Sequence, residues 1–309
     1  MNENEGRSAG DRSVSPHTYD SSYFFLACEG HDEFRASRGR RLGARFRKAL
    51  QLARIQPGQR VLDVGCGRGE LVIHAALRGA EGVGIDYSEE AIRIAEEALA
   101  GYTPDIHERA SFRVMNARQM EFPDESFDTA IMSDIVEHLY PQELREALDE
   151  THRVLRPNGK LVIHTCPNGL LYDVAYPIYI RHVHGAIRRL AELARYESYF
   201  IGPTLPVGPQ YPRTEGERRH HVNEQTAAKV SRILREGGFR VLKAEHWEVP
   251  HGVEYWRIPP DQGSPLRHTV ELMLLDALRY LRPFSYAWPL NRLFANHIWI
   301  VARSRRLAR

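Results

Sequence analysis

Val61–Glu70, VLDVGCGRGE, decides how the rest of the chain is read. A short apolar run breaks into Gly65-Cys66-Gly67-Arg68-Gly69, and a helical pattern, ELVIHAALRGA, follows over 70–80 and closes at Gly79. This reads as a buried strand, a tight turn and a helix. Glycines let a ligand approach the backbone, and the crevice beyond the carboxyl ends of such strands is where open α/β sheets bind ligands. A lone G-x-G also marks a plain strand–helix turn. A second strand, GVGID (82–86), ends in Asp86, an acid able to accept hydrogen bonds from ribose hydroxyls. A dinucleotide fingerprint would need glycine at 70, where Glu70 stands. Asp63, two residues before Gly65, would repel a pyrophosphate but suits a ligand carrying an ammonium.

Outward from this turn, strands and helices alternate. SEEAIRIAEEALA (88–100) is a helix with Ser88 as N-cap, and SFRVMNA (111–117) and FDTAIMS (127–133) are strands. PQELREALDETHRVLRPNG (141–159) reads as a helix with Pro141 in its first turn and Gly159 beyond its end, before a strand at 160–166. Residues 36–56 carry a partial helical stripe: Leu42, Phe46, Leu50, Leu52 and Ile55. A helix at 226–239 precedes two more strands, 240–247 and 297–304, which flank a stretch at 251–292 rich in Pro, Trp and Tyr. The rhythm predicts an α/β fold, a doubly wound seven-stranded sheet with the last strand antiparallel, interrupted by helical lid insertions.

The 309 residues are 42% hydrophobic and 27% charged, which suits a soluble globular protein with a sizeable core. A net charge of +2 creates no global field toward nucleic acid or anionic lipid. The cysteines at 28, 66 and 166 lack metal-type spacing and point to a reducing, cytoplasmic setting. Residues 1–17 have no apolar run and read as a disordered leader, and no stretch approaches the roughly 18 apolar residues of a membrane span.

VLDVGCGRGEL resembles the first motif of the class I S-adenosylmethionine-dependent methyltransferases, hhDhGCGxGxh with h apolar. The likeness continues through Asp86, Asn116-Ala117, FPDESFDTAIMSDIVEHL (122–139) and RVLRPNGKLVIHT (153–165), covering residues 55–166 well and 217–247 more loosely. It implies a Rossmann-like cofactor core over 57–168, an N-terminal helical cap at 18–56, a helical lid insert at 169–220 and a core completion at 221–309 with a second lid segment at 251–292. It further implies that Asp63, Gly65, Cys66 and Gly67 hold the methionine portion. Asp86 and Tyr87 would meet the ribose, Asn116 and Ala117 would border the adenine, and Ser133 and Asp134 would close the pocket. Many relatives carry Asp at position 116. Tyr19 and Tyr23 would cover the cofactor, or pack an entry helix.

SDIVEHLY (133–140) carries three readings. In the plainest, Asp134 caps a turn and Glu137 completes a capping-box-like pair. In the second, His138 is a base or hydroxyl-orienting group, its tautomer held by Glu137 or Asp134. In the third, Asp134, Glu137 and His138 bind a divalent, Mg²⁺-like cation with His220 or His221. That arrangement resembles the ubiquinone-biosynthesis O-methyltransferases and the small-RNA 3′-end 2′-O-methyltransferases, both with an E-x-x-E-H turn. Here Asp134 replaces the first Glu. His164 and RRHH (218–221) are further candidates near the strand ends.

The insert at 169–199 is apolar, aromatic and Arg-rich. It reads as a lid packed on the core, or as one that also rests on the inner face of a membrane with its arginines at the headgroups. Either way the expected acceptor is a small, lipid-like, aromatic or glycan-linked hydroxyl. Arg clusters at 36–47 and 181–195 could meet RNA phosphates, but the small net charge and the lack of a recognisable RNA-binding module argue against nucleic acid.

Overall fold

The computed structural model describes residues 13–28, 30–196, 213, 220–247, 270–271, 273–274, 277–278, 281 and 286–305. Most of the expected leader, Arg218 and Arg219, the end of the first lid and much of the segment 251–292 lie outside the described residues.

Seven strands form one sheet in the order β3-β2-β1-β4-β5-β7-β6. They are β1 (Arg60–Val64), β2 (Glu81–Asp86), β3 (Ala110–Val114), β4 (Phe127–Ser133), β5 (Leu155–Thr165), β6 (Phe239–Trp247) and β7 (His297–Ser304). The first five run parallel, and the last strand is antiparallel. The order reverses at β1, whose neighbours are β2 and β4, so a crevice opens at its carboxyl end. The β1 pattern explains its place: Val61, Leu62, Asp63 and Val64 are all buried, as a strand covered on both faces requires.

Helices α1 (His31–Ser37) and α2 (Ala44–Ala53) precede the sheet. α3 (Glu70–Ala76), α4 (Glu89–Leu99), the single turn α5 (Pro104–His107) and α6 (Pro141–Val154) connect its strands. The Ser88 side chain caps α4 by accepting from the Ala91 amide. α6 ends at Val154, five residues before the expected stop, and β5 begins at Leu155 rather than 160. Pro157 disfavours a helical Arg156, Asn158 is left-handed (φ 60°), and the pairing of β4 with β5 slips between Phe127 and Thr129. RPNG is thus an irregularity within the strand, not a helix end.

Contacts divide the chain into two units. The first comprises residues up to 165, 220–245 and 299 onward, and holds the sheet. The second takes 166–219 and 246–298. In it, a wide helical stretch, Leu171–Ile180, leads into α7 (Arg181–Leu193), and Leu171, Ala175, Tyr176, Ile180 and Phe294 form a small core. The Asn168 side chain donates to the carbonyls of Arg292 and Ala295. A further connecting helix, α8 (Ala227–Glu236), belongs to the first unit.

Candidate cofactor and methyl-transfer site

A cavity of about 250 Å³ lies at the carboxyl ends of β1, β2 and β4. One end is built by the backbone. Gly65, Gly67 and Gly69 adopt φ of 74°, 49° and 79°. At Gly69 a Cβ would also fall 2.6 Å from the Phe112 ring, and at Gly65 one would fall 2.9 Å from Ile135. The turn is therefore restricted to glycine on two counts. Asp86 is locked against it. Its Oδ2 accepts from the Gly67 amide and its Oδ1 from the Ser88 amide, both at 3.0 Å. Burial pushes its carboxyl up to about 6, with those amides pulling the other way.

Asp63 is buried, and among the described residues its Oδ1 has no hydrogen-bond partner. Burial, with Asp86, Glu70 and Asp134 nearby, pushes its carboxyl up to about 8. A buried orphan oxygen among like charges fits a cationic ligand group, such as the α-ammonium of S-adenosylmethionine. Cys66, Tyr87, Asn116 and Ala117 also line the cavity. Asn116 Oδ1 accepts from the Arg118 amide at 2.9 Å, so its oxygen holds the local turn.

The other end is built by side chains from distant parts of the chain. SDIVEHLY is not a helix face. Asp134 is left-handed (φ 56°), and only Val136–His138 forms a single 3₁₀ turn. Asp134 does not cap it, because Ile135 occupies that position and makes no side-chain cap. Instead Asp134 Oδ2 lies 3.0 Å from Arg45 Nη1 and Oδ1 lies 2.7 Å from His164 Nδ1, while Ser133 Oγ donates to Oδ2. The Asp134 amide donates to the His164 carbonyl. Asp134, Ser133 and His138 line the cavity. Glu137 is not among its lining residues: it is 1% exposed and accepts from Thr165 Oγ1 at 2.7 Å.

His138 Nδ1 lies 2.8 Å from Tyr19 Oη, and its ring packs 5.0 Å from that of His221. Burial, then His221, lowers it to about 3, against the pull of Asp134. His220 packs on Tyr23 and Tyr19. Glu137, His138 and His221 each offer a ligand atom within 4.8 Å of the others. Asp134 is outside that group, and its oxygens face Arg45 and His164.

Tyr19 and Tyr23 both line the cavity, from an irregular segment rather than an entry helix: a 3₁₀ turn at Pro16–Thr18 and a wide turn at Tyr23–Ala27. Arg45, Phe46 and Arg68 line it too and were not among the site residues expected from the sequence. A signal for Arg45 existed. It stands three residues after Leu42 and four before Ala49, on the buried face of α2, where a charged residue calls for a partner.

A sheet that reverses order at β1, with a glycine turn, an acid ending β2 and an orphaned acid on β1, defines a class I site for S-adenosylmethionine. A family model described as a methyltransferase domain matches residues 61–159. Residues 61–159 therefore form a methyltransferase domain of the class I S-adenosylmethionine-dependent type. It is 27% identical over 210 residues to 27-O-demethylrifamycin SV methyltransferase of Amycolatopsis mediterranei, covering 64% of this chain and 71% of that one. It is 35% identical over 109 residues to the human mitochondrial ubiquinone biosynthesis O-methyltransferase, covering 35% and 29%. Its fold matches Haemonchus contortus phosphoethanolamine N-methyltransferase 2 with a TM-score of 0.51 at 16% identity, covering 84% of this chain and 53% of that one. Another curated relative is 24-methylenesterol C-methyltransferase 2 of Oryza sativa, 28% identical over 236 residues, and the chain spans 55 to 60% of the length of three of its relatives.

Proposed function

We propose that the chain methylates a hydroxyl oxygen of a small apolar acceptor, aromatic, lipid-like or glycan-linked. The observation that carries this reading is the apolar and aromatic lining of the cavity. Tyr19, Tyr23, Phe24, Phe46 and Leu139 line the same cavity as Asp134 and His138. Such a wall suits a flat or greasy acceptor steered by a few polar groups. The O-methyltransferases among the relatives support the choice of oxygen. S-adenosylmethionine supplies the methyl group on a sulfonium, whose departure needs no proton. The chain's own task is then alignment and exclusion of water. At about 3, His138 stays neutral near pH 7 and orients the acceptor hydroxyl; as the oxygen–methyl bond forms and the sulfur–methyl bond breaks, the hydroxyl proton is released to solvent. Asp134, fixed by Arg45 and His164, is the second orienting group.

The second unit supports a lipid-like acceptor. Ile178, Leu193 and Trp288 are 71%, 83% and 74% exposed, and Arg181, Arg189 and Arg195 are also exposed. Apolar side chains interleaved with arginines suit the headgroup region of an anionic membrane. Among the described residues no helix is long and apolar enough to cross one. A cation on Glu137, His138 and His221 is the second reading, favoured by their convergence; it would polarise the acceptor hydroxyl.

One assay separates these readings: transfer of a radiolabelled methyl group to lipid, small-metabolite and RNA fractions, with and without EDTA, with the lipid presented in anionic vesicles. Label is expected in the lipid or metabolite fraction, insensitive to EDTA, with the protein recovered on the vesicles. Label confined to RNA overturns the acceptor class. Loss in EDTA restored by Mg²⁺ or Mn²⁺ installs the second reading, and protein left in the supernatant removes the membrane surface.

A further inference from the structure

The ion pair Arg68–Glu70 has no part in the chemistry above, yet it is among the most deeply buried charges of the first unit. Arg68 is 2% exposed and Glu70 3%. Arg68 Nε donates to Glu70 Oε2 at 3.0 Å, and its guanidinium sits 5.0 Å from the centre of the Phe34 ring. Buried ion pairs often add no more stability than apolar side chains of the same volume, so this one calls for a geometric reason. The remaining arm of the guanidinium supplies it. Nη1 donates to the carbonyl of Phe24 at 2.8 Å. One side chain therefore joins the middle of the glycine turn to the segment Ser13–Cys28.

That segment is a strap across the cavity, and Pro16, Tyr19, Tyr23, Phe24 and Cys28 line it. Its other fasteners also attach beside cofactor positions. Tyr87 Oη donates to the Val14 carbonyl at 3.2 Å and Ser88 Oγ to the Tyr19 carbonyl at 3.0 Å, on the two residues after Asp86. Ser21 bonds Glu90. A ligand held between glycine turn and strap must leave past these contacts, and what it stabilises in one it stabilises in the other.

We propose that Arg68 and Glu70 are a positioning pair that fastens the strap to the glycine turn and thereby sets the rate at which the cofactor leaves. The proposal rests on the cofactor assignment and not on the acceptor. A lysine cannot replace the pair's geometry, because one ammonium lacks the planar fork that serves Glu70 and the Phe24 carbonyl together.

The test is stopped-flow binding of S-adenosylhomocysteine, with amide hydrogen exchange over residues 13–28. In Arg68→Lys, dissociation should quicken about tenfold, the loss of one hydrogen bond to a charged group, with association changed by less than about twofold. The protection that S-adenosylhomocysteine gives the strap should disappear. Glu70→Gln keeps the arginine but loosens its hold, and should quicken dissociation severalfold; it decides the matter if Arg68→Lys does not fold. Unchanged dissociation in a folded variant overturns the proposal. So does faster dissociation with strap protection intact, which would confine the pair's effect to the glycine turn. Wild-type protein that does not bind S-adenosylhomocysteine would sink the cofactor assignment itself, and the proposal with it.

Discussion

The two ends of the cavity are built by different means. At the glycine end, the functional groups are backbone amides and an acid fixed by them: Gly67 and Ser88 hold Asp86, and all lie within the short segment from β1 to the cap of α4. At the Asp134 end, each group is held by side chains from afar. Asp134 leans on Arg45 and His164, Glu137 on Thr165, and His138 on Tyr19, which is 119 positions away. A site made of backbone is set by local sequence and tolerates little change. A site made of distant side chains can be rebuilt piece by piece, and that is the end to which the proposed function assigns the acceptor.

The largest effect should therefore come from the glycine end. Asp86→Ala removes an acid that would accept from ribose hydroxyls and also frees two amides. Hydrogen bonds to a charged group contribute about 1.5–3 kcal/mol each, so S-adenosylhomocysteine should bind about a hundredfold more weakly or worse by calorimetry. A loss of only a few fold would erase the contrast between the two ends.

Next in size is a pH effect. Without ligand, Asp63 holds its proton up to about 8, whereas beside a ligand ammonium it is ionised. Binding near pH 7 then releases a proton. Affinity should rise with pH, by up to about tenfold between pH 6 and 7, and level off above about 8. Titrations in buffers of different ionisation enthalpy would count that proton. Asp63→Asn should remove both the slope and the ammonium contact. Because burial raises Asp63 above its unfolded value, its contribution to stability falls as pH rises past that value. Asp63→Asn should consequently stabilise the unliganded protein at neutral pH, by on the order of 1 kcal/mol. A pH-independent affinity would show that the orphaned oxygen does not face the ammonium.

The same contrast explains what could be read from the sequence. Strand 82–86, the Ser88 cap and helix 88–100 stand where the pattern put them, at Glu81–Asp86 and Glu89–Leu99, because period and cap are local signals. The glycine turn and Asp86 were legible because their spacing along the chain is itself the geometry of the site. SDIVEHLY was not. Its i, i+3, i+4 spacing suggests a shared helix face, but the left-handed Asp134 breaks that register, and its cause is partners on α2 and β5. The end of α6 was misplaced for a similar reason: the RPNG irregularity depends on the pairing of β5 with β4, which no window of the sequence contains.

The smallest expected effect sharpens the comparison most. Tyr19→Phe deletes one hydroxyl, the one 2.8 Å from His138 Nδ1. Both partners are neutral at pH 7, since burial drives the phenol up and lowers the imidazole to about 3. A neutral hydrogen bond contributes about 1 kcal/mol, so S-adenosylhomocysteine should bind roughly fivefold more weakly, through a looser strap. The ring remains, and its packing on Tyr23, Tyr87 and His220 holds the wall in place. The pH slope assigned to Asp63 should be unchanged, because the deleted hydroxyl bonds His138 while the ring keeps its packing on Tyr87. If the slope moves with the hydroxyl, the two ends are coupled through more than the strap. If the affinity falls as far as in Asp86→Ala, the side-chain end carries as much of the cofactor's binding as the backbone end.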